Sequence, residues 1–203
     1  MGYNINMDQA KIDAFIAHVR EISANPNFIH HKWFVKWHLQ LVERIAIELV
    51  DFYPEVDKDF MRLLAWLHDY GKILDFDNEK EMTLTAGKQK LLELGFSEET
   101  VRHAIDCVEM MDNHLTLDMN EAPIEVRIIS SADGCAHMVG PFYDLWWYEN
   151  PNKNYEELMQ DNIIKLKKDW DRKIVIPEAR QAFKLRNEYH LEQKGVLPEK
   201  FLS

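Results

Sequence analysis

The stretch from Phe60 to Phe76 constrains this chain more than any other. Met61, Leu63, Leu64, Ala65, Trp66 and Leu67 form an apolar run at helical spacing, and it leads straight into His68 and Asp69. Gly71 is expected to end the helical pattern, and Lys72 adds a cation. An ionised carboxylate beside an imidazole is costly in apolar surroundings unless something compensates, and a divalent metal ion does so well.

Two further residues stand in order around this pair. His38 lies 30 positions before His68, within Lys36-Trp37-His38-Leu39-Gln40, and Asp133 lies 64 positions after Asp69, within Ser130-Ser131-Ala132-Asp133-Gly134. Each falls inside a helical pattern. This H…HD…D order resembles the signature of the HD superfamily of metal-dependent phosphohydrolases, and His-Asp-Tyr-Gly-Lys looks like its HDxGK variant. The resemblance covers roughly residues 30–145 and implies an all-α helical bundle. It also implies that His38, His68, Asp69 and Asp133 ligate a metal. Lys72 looks like the family's phosphate-facing cation; a solvated loop lysine is the equal alternative.

Two-metal members of the superfamily carry two more histidines between the HD pair and the last Asp. Here the first region reads Glu79-Lys80-Glu81-Met82-Thr83-Leu84, and the second lands on Val108 or Glu109. A one-metal site is therefore expected, similar to the nucleotidase subgroup. The same deficit weakens two cousins, the cyclic-dinucleotide phosphodiesterases and the di-iron oxygenases. Glu109 either orients water, binds a second weaker ion, or is a surface residue.

Imidazole and carboxylate donors without cysteine suit Mn²⁺, Fe²⁺, Co²⁺, Ni²⁺ or Zn²⁺ in an open site rather than a closed structural zinc. Such an ion makes hydroxide from bound water and withdraws charge from a phosphoryl oxygen. The expected function is metal-dependent hydrolysis of a small phosphorylated substrate, a nucleotide for choice, with Asp69 or Glu109 positioning water and Lys72 stabilising phosphate. His137, one turn after Asp133, is either a general acid or a hydrogen-bonded buried histidine. The competing readings are a non-catalytic metal- and nucleotide-binding regulator and an iron oxygenase. His103 and His114 read as structural or surface residues, and His30 and His31 as either pocket-mouth or loop residues.

The net charge of −11 argues against a nucleic-acid polymer as partner, because that affinity comes from neutralising phosphates with Lys and Arg. Cys107 and Cys135 form no close-spaced pair and fit reduced thiols, no basic-then-apolar leader is evident, and no apolar run reaches 18 residues. A cytoplasmic protein with no membrane segment is expected.

At 203 residues one domain is expected, with a motif core at about 30–145 and C-terminal helices at about 152–195 packed on it. The pattern predicts helices over 7–24, 33–52, 58–69, 83–94, from Ser97 to about Asn113, 123–139, 155–171 and 177–194. The acidic segment 75–81 reads as an exposed loop. The aromatic segment 142–148 serves equally as a core wall or a dimer face.

Overall fold

The computed structural model describes residues 7–113 and 116–202. Among them the regular elements are all helical and no strand occurs. His114 lies outside the described residues.

The centre is α3 (Lys58–Leu67). Asp57 caps it, accepting from the Asp59 and Phe60 amides at 2.7 and 3.1 Å, which satisfies two of the amides a helix start leaves without partners. Phe60, Met61 and Leu63 to Leu67 are all buried. Lys58, Asp59 and Arg62 keep one side of its first turns towards solvent, but from Leu63 to Leu67 every side is covered, which places this half in the middle of the bundle. Accordingly α3 packs against α1 (Gln9–Ser23), α2 (Gln40–Val50), α7 (Glu98–Asp112) and α8 (Ile124–Ala136). Trp66 is fully buried, and its indole N–H donates to Glu43 at 2.8 Å.

Several boundaries differ from the sequence pattern in ways that matter for the site. The central helix stops at Leu67, two residues early, because Asp69 adopts φ −114° and ψ 19°. Gly71 does not end it; it sits inside a new short helix, α4 (Tyr70–Leu74). A Cβ there would collide with the Glu79 carbonyl and the Thr83 amide of the neighbouring segment. The acidic stretch expected as a loop coils in its second half into α5 (Glu79–Met82), followed by a π turn (Thr83–Gly87) and α6 (Lys88–Glu93).

The helix expected over 33–52 begins as a π turn (Val35–Leu39), where the Gln40 amide reaches back to the Val35 carbonyl. The helix expected to end at 171 is likewise α10 (Tyr155–Lys168) followed by a π turn (Asp169–Lys173). The aromatic segment is α9 (Phe142–Glu149), and α11 (Pro177–Gln193) closes the fold against α8 and α10. Cys107 and Cys135 are both buried and unpaired. Among the described residues, no helix is long and apolar enough to cross a membrane.

Candidate metal centre

His68 and Asp69 are consecutive, and consecutive residues of a continuous helix point about 100° apart. The break at Asp69 removes that restriction. His68 Nε2 and Asp69 Oδ2 come within 3.5 Å of each other, just beyond the buried run that ends α3.

The π turn supplies the third donor. Its extra residue turns His38 inward, a use for which such turns recur at functional sites. His38 Nε2 lies 3.2 Å from His68 Nε2 and 3.0 Å from Asp69 Oδ2. From α8, Asp133 brings Oδ1 to 3.6 Å from His38 Nε2 and 3.9 Å from His68 Nε2. His137 adds a donor that faces Asp133 Oδ1 at 3.4 Å. Two trios result, His38–His68–Asp69 and His38–Asp133–His137, each with donor atoms within 4.8 Å of one another.

The donor chemistry fits a divalent ion. The His68 ring can donate Nδ1–H to the Ala65 carbonyl at 2.9 Å, which leaves the Nε2 lone pair facing the cluster. Asp69 Oδ2 and Asp133 Oδ1 both face His38 Nε2, at 3.0 and 3.6 Å, so unshared pairs converge around it, and a divalent cation would reconcile them.

Each carboxylate also has a lysine. Lys72 stands 3.0 Å from Asp69 Oδ2, and Lys173 contacts Asp133 Oδ2 at 2.5 Å. Desolvation pushes the Asp69 carboxyl up, but Lys72, His68 and His38 outweigh it and hold it well below the usual range. Asp133 follows the same balance, with Lys173 as the largest opposing charge. Burial lowers His38 despite the Asp69 contact.

Lys173 was not distinguishable in the sequence from its neighbours Asp171 and Arg172. It is held in place by α8 itself. Ser130 and Ser131 are fully buried, and Ser131 Oγ accepts from the Val175 and Ile176 amides at 3.0 and 3.1 Å. Gly134 admits the same segment, for a Cβ there would lie 2.8 Å from Ile174 Cγ1. The Ser-Ser-Ala-Asp-Gly run therefore carries a donor and the dock for the lysine that contacts it.

The centre forms the floor of a cavity of about 590 Å³. Five lysines line it, Lys72, Lys80, Lys165, Lys168 and Lys173, in a chain whose overall charge is strongly negative. Trp33, Phe76, Phe142 and Trp146 supply apolar wall, so the aromatic segment borders the cavity. His30 also lines it, within 2.8 Å of Glu149, whose other oxygen accepts from the Trp33 indole at 2.7 Å.

Other expectations fall away from the centre. Glu109 is exposed on the outer side of α7 and does not border the cavity; Asp112, three residues on, does. Burial and the nearby Asp69 charge push the Asp112 carboxyl up to about 6. His103 stacks on Phe60 at 4.7 Å, and His31 contacts the Phe28 carbonyl at 2.8 Å, neither bordering the cavity.

The family model for the HD domain matches residues 37–138, half of the chain, and spans His38, His68, Asp69 and Asp133. Neither curated proteins nor solved structures give a match. HD domains are typically metal-dependent hydrolases; the helical bundle is of that kind, and its His and Asp groups could hold a metal. The chain belongs to the HD domain family.

Proposed function

We propose that this chain hydrolyses a phosphate ester or anhydride on a small molecule bearing a flat ring system, a nucleotide being the best fit. His38, His68, Asp69 and Asp133 would hold one divalent ion. When bound, that ion supplies an acidified water and draws charge off a phosphoryl oxygen.

The observation that carries this reading is the cavity: metal donors at its floor, lysines around them and aromatic rings above. Its volume is in the range of small-molecule sites. Lys72 neutralises a phosphoryl oxygen entering beside Asp69. Lys168, whose side chain has no ion pair or hydrogen bond among the described residues, meets an outer phosphate oxygen. Asp69 orients the attacking water, and Asp112 takes over the water-holding role that the sequence pattern offered to Glu109. Trp33 and Trp146 stack on the base, worth about 0.5–1.5 kcal/mol per aromatic pair beyond area burial.

The test is phosphate release from a panel of nucleotides and sugar phosphates, using metal-stripped protein reloaded with Mn²⁺, Fe²⁺, Co²⁺, Ni²⁺ or Zn²⁺. Release from nucleotides that exceeds release from sugar phosphates of equal charge supports the base-stacking role. Equal rates for both would limit the reading to a general phosphatase. Tight substrate binding without turnover under every metal would make the chain a binding protein instead.

A further inference from the structure

His137 Nε2 and His38 Nε2 face the same oxygen, Asp133 Oδ1, at 3.4 and 3.6 Å. Their rings lie parallel within 4°, with centroids 5.2 Å apart. From these positions, and resting on the metal-site reading above, we infer that His137 is a fifth ligand of the ion through Nε2. Asp169 is the positioning residue that fixes its ring.

A neutral imidazole carries a single hydrogen, and the nitrogen without it is the one that can bind a metal. His137 Nδ1 lies 2.9 Å from Asp169 Oδ2. A carboxylate offers only acceptors, so a bare Nδ1 there would set two lone pairs against each other. Nδ1 therefore carries the hydrogen and Nε2 is bare. Lys165 Nζ also lies 2.9 Å from Nδ1, but it has nearer acceptors in the two Asp169 oxygens at 2.6 and 2.7 Å. The ammonium answers the carboxylate, and the carboxylate answers the ring.

Asp169 is completely buried, and it is reached only because the π turn after α10 aims it at α8. A buried carboxylate holding the far nitrogen of a histidine is the usual support of a metal-ligating imidazole, fixing its tautomer and raising its basicity. A general acid would need the opposite arrangement, with a proton on Nε2 to give away. The Phe142 ring, 4.1 Å from that of His137, packs against it.

Three imidazoles and two carboxylates leave one position of an octahedral ion open rather than two. The same set shifts preference from hard, oxygen-seeking ions towards Fe²⁺, Co²⁺, Ni²⁺ or Zn²⁺.

Direct coupling between ¹¹³Cd²⁺ and ¹⁵N-labelled histidine in the full chain tests this, because a correlation appears only across a metal–nitrogen bond. Three Nε2 correlations are expected in the wild type, and His137→Gln should lose one while weakening Cd²⁺ binding by about tenfold or more. In the metal-free protein, the same ring should show hydrogen on Nδ1. Two correlations in the wild type, or hydrogen on Nε2, would overturn the inference, and neither readout depends on His137→Gln folding. Because turnover is not read, three correlations without phosphatase activity would sink the proposed reaction and leave the ligand set standing.

Discussion

Lys173 reaches Asp133 from 40 residues along the chain, holding Oδ2 while Oδ1 faces His38 and His137. The lysine thereby fixes which oxygen the donor cluster sees. Lys173→Met should keep the fold, since its stem still packs on α8, but lower metal affinity or turnover by about 10- to 100-fold. Isothermal titration with Mn²⁺ alongside phosphate release checks this, and wild-type values for both would remove Lys173 from the site.

Gly71 is a packing requirement rather than a helix terminator. Its amide donates to Thr83 Oγ1 at 2.8 Å, and the Glu79–Thr83 segment leaves no room for a Cβ. Gly71→Ala should cost about 1–3 kcal/mol by overpacking, although helix propensity alone would favour alanine. Urea unfolding measures it; an unchanged or raised midpoint would show that α4 and α5 are not so closely packed.

Both thiols should be inert in the native state. Burial pushes the Cys107 thiol up to about 12 and raises Cys135 further still. A thiol of raised pKa holds almost no reactive thiolate below that value. Ellman's reagent at pH 8 should therefore label neither residue until denaturant is added. Fast labelling of the folded protein would place one of them at the surface.

Lys168→Glu tests the outer phosphate contact. Lys168 stands in the cavity wall away from the donor cluster's ion pairs, so the substitution should raise KM by about tenfold or more, the worth of one hydrogen bond to a charged group. Metal affinity should not move. Unchanged KM would mean that the substrate's charge is met elsewhere.

How much of this was legible in the sequence follows from distance along the chain. The caps at Asp8 and Ser97 stand immediately before the helices they start, and both accept from first-turn amides. His38, His68, Asp69 and Asp133 stood out because their residue types are costly at those positions in apolar helices, and in the structure donor atoms of the other three lie within 3.6 Å of His38 Nε2. The π turns left no mark, since one looser hydrogen bond changes no residue preference. Asp169 and Lys165 read as the ordinary charged face of an outer helix, an i, i+4 pair like many on solvated surfaces. Only the turn at 169–173 rotates that pair inward. Glu109 and Asp112 show the converse: they stand three residues apart on α7, and a small change of phase decides that Asp112 borders the cavity while Glu109 faces out.

The most direct test of the central claim is a titration of metal-stripped protein with Mn²⁺ or Co²⁺, following bound ion and phosphate release in the same samples. Release should rise with occupancy and saturate at about one ion per chain, because the two donor trios share the single His38 Nε2. Asp69→Ala should remove both together. Release indifferent to bound metal, or one tightly held ion with no release from any substrate in the panel, would contradict it.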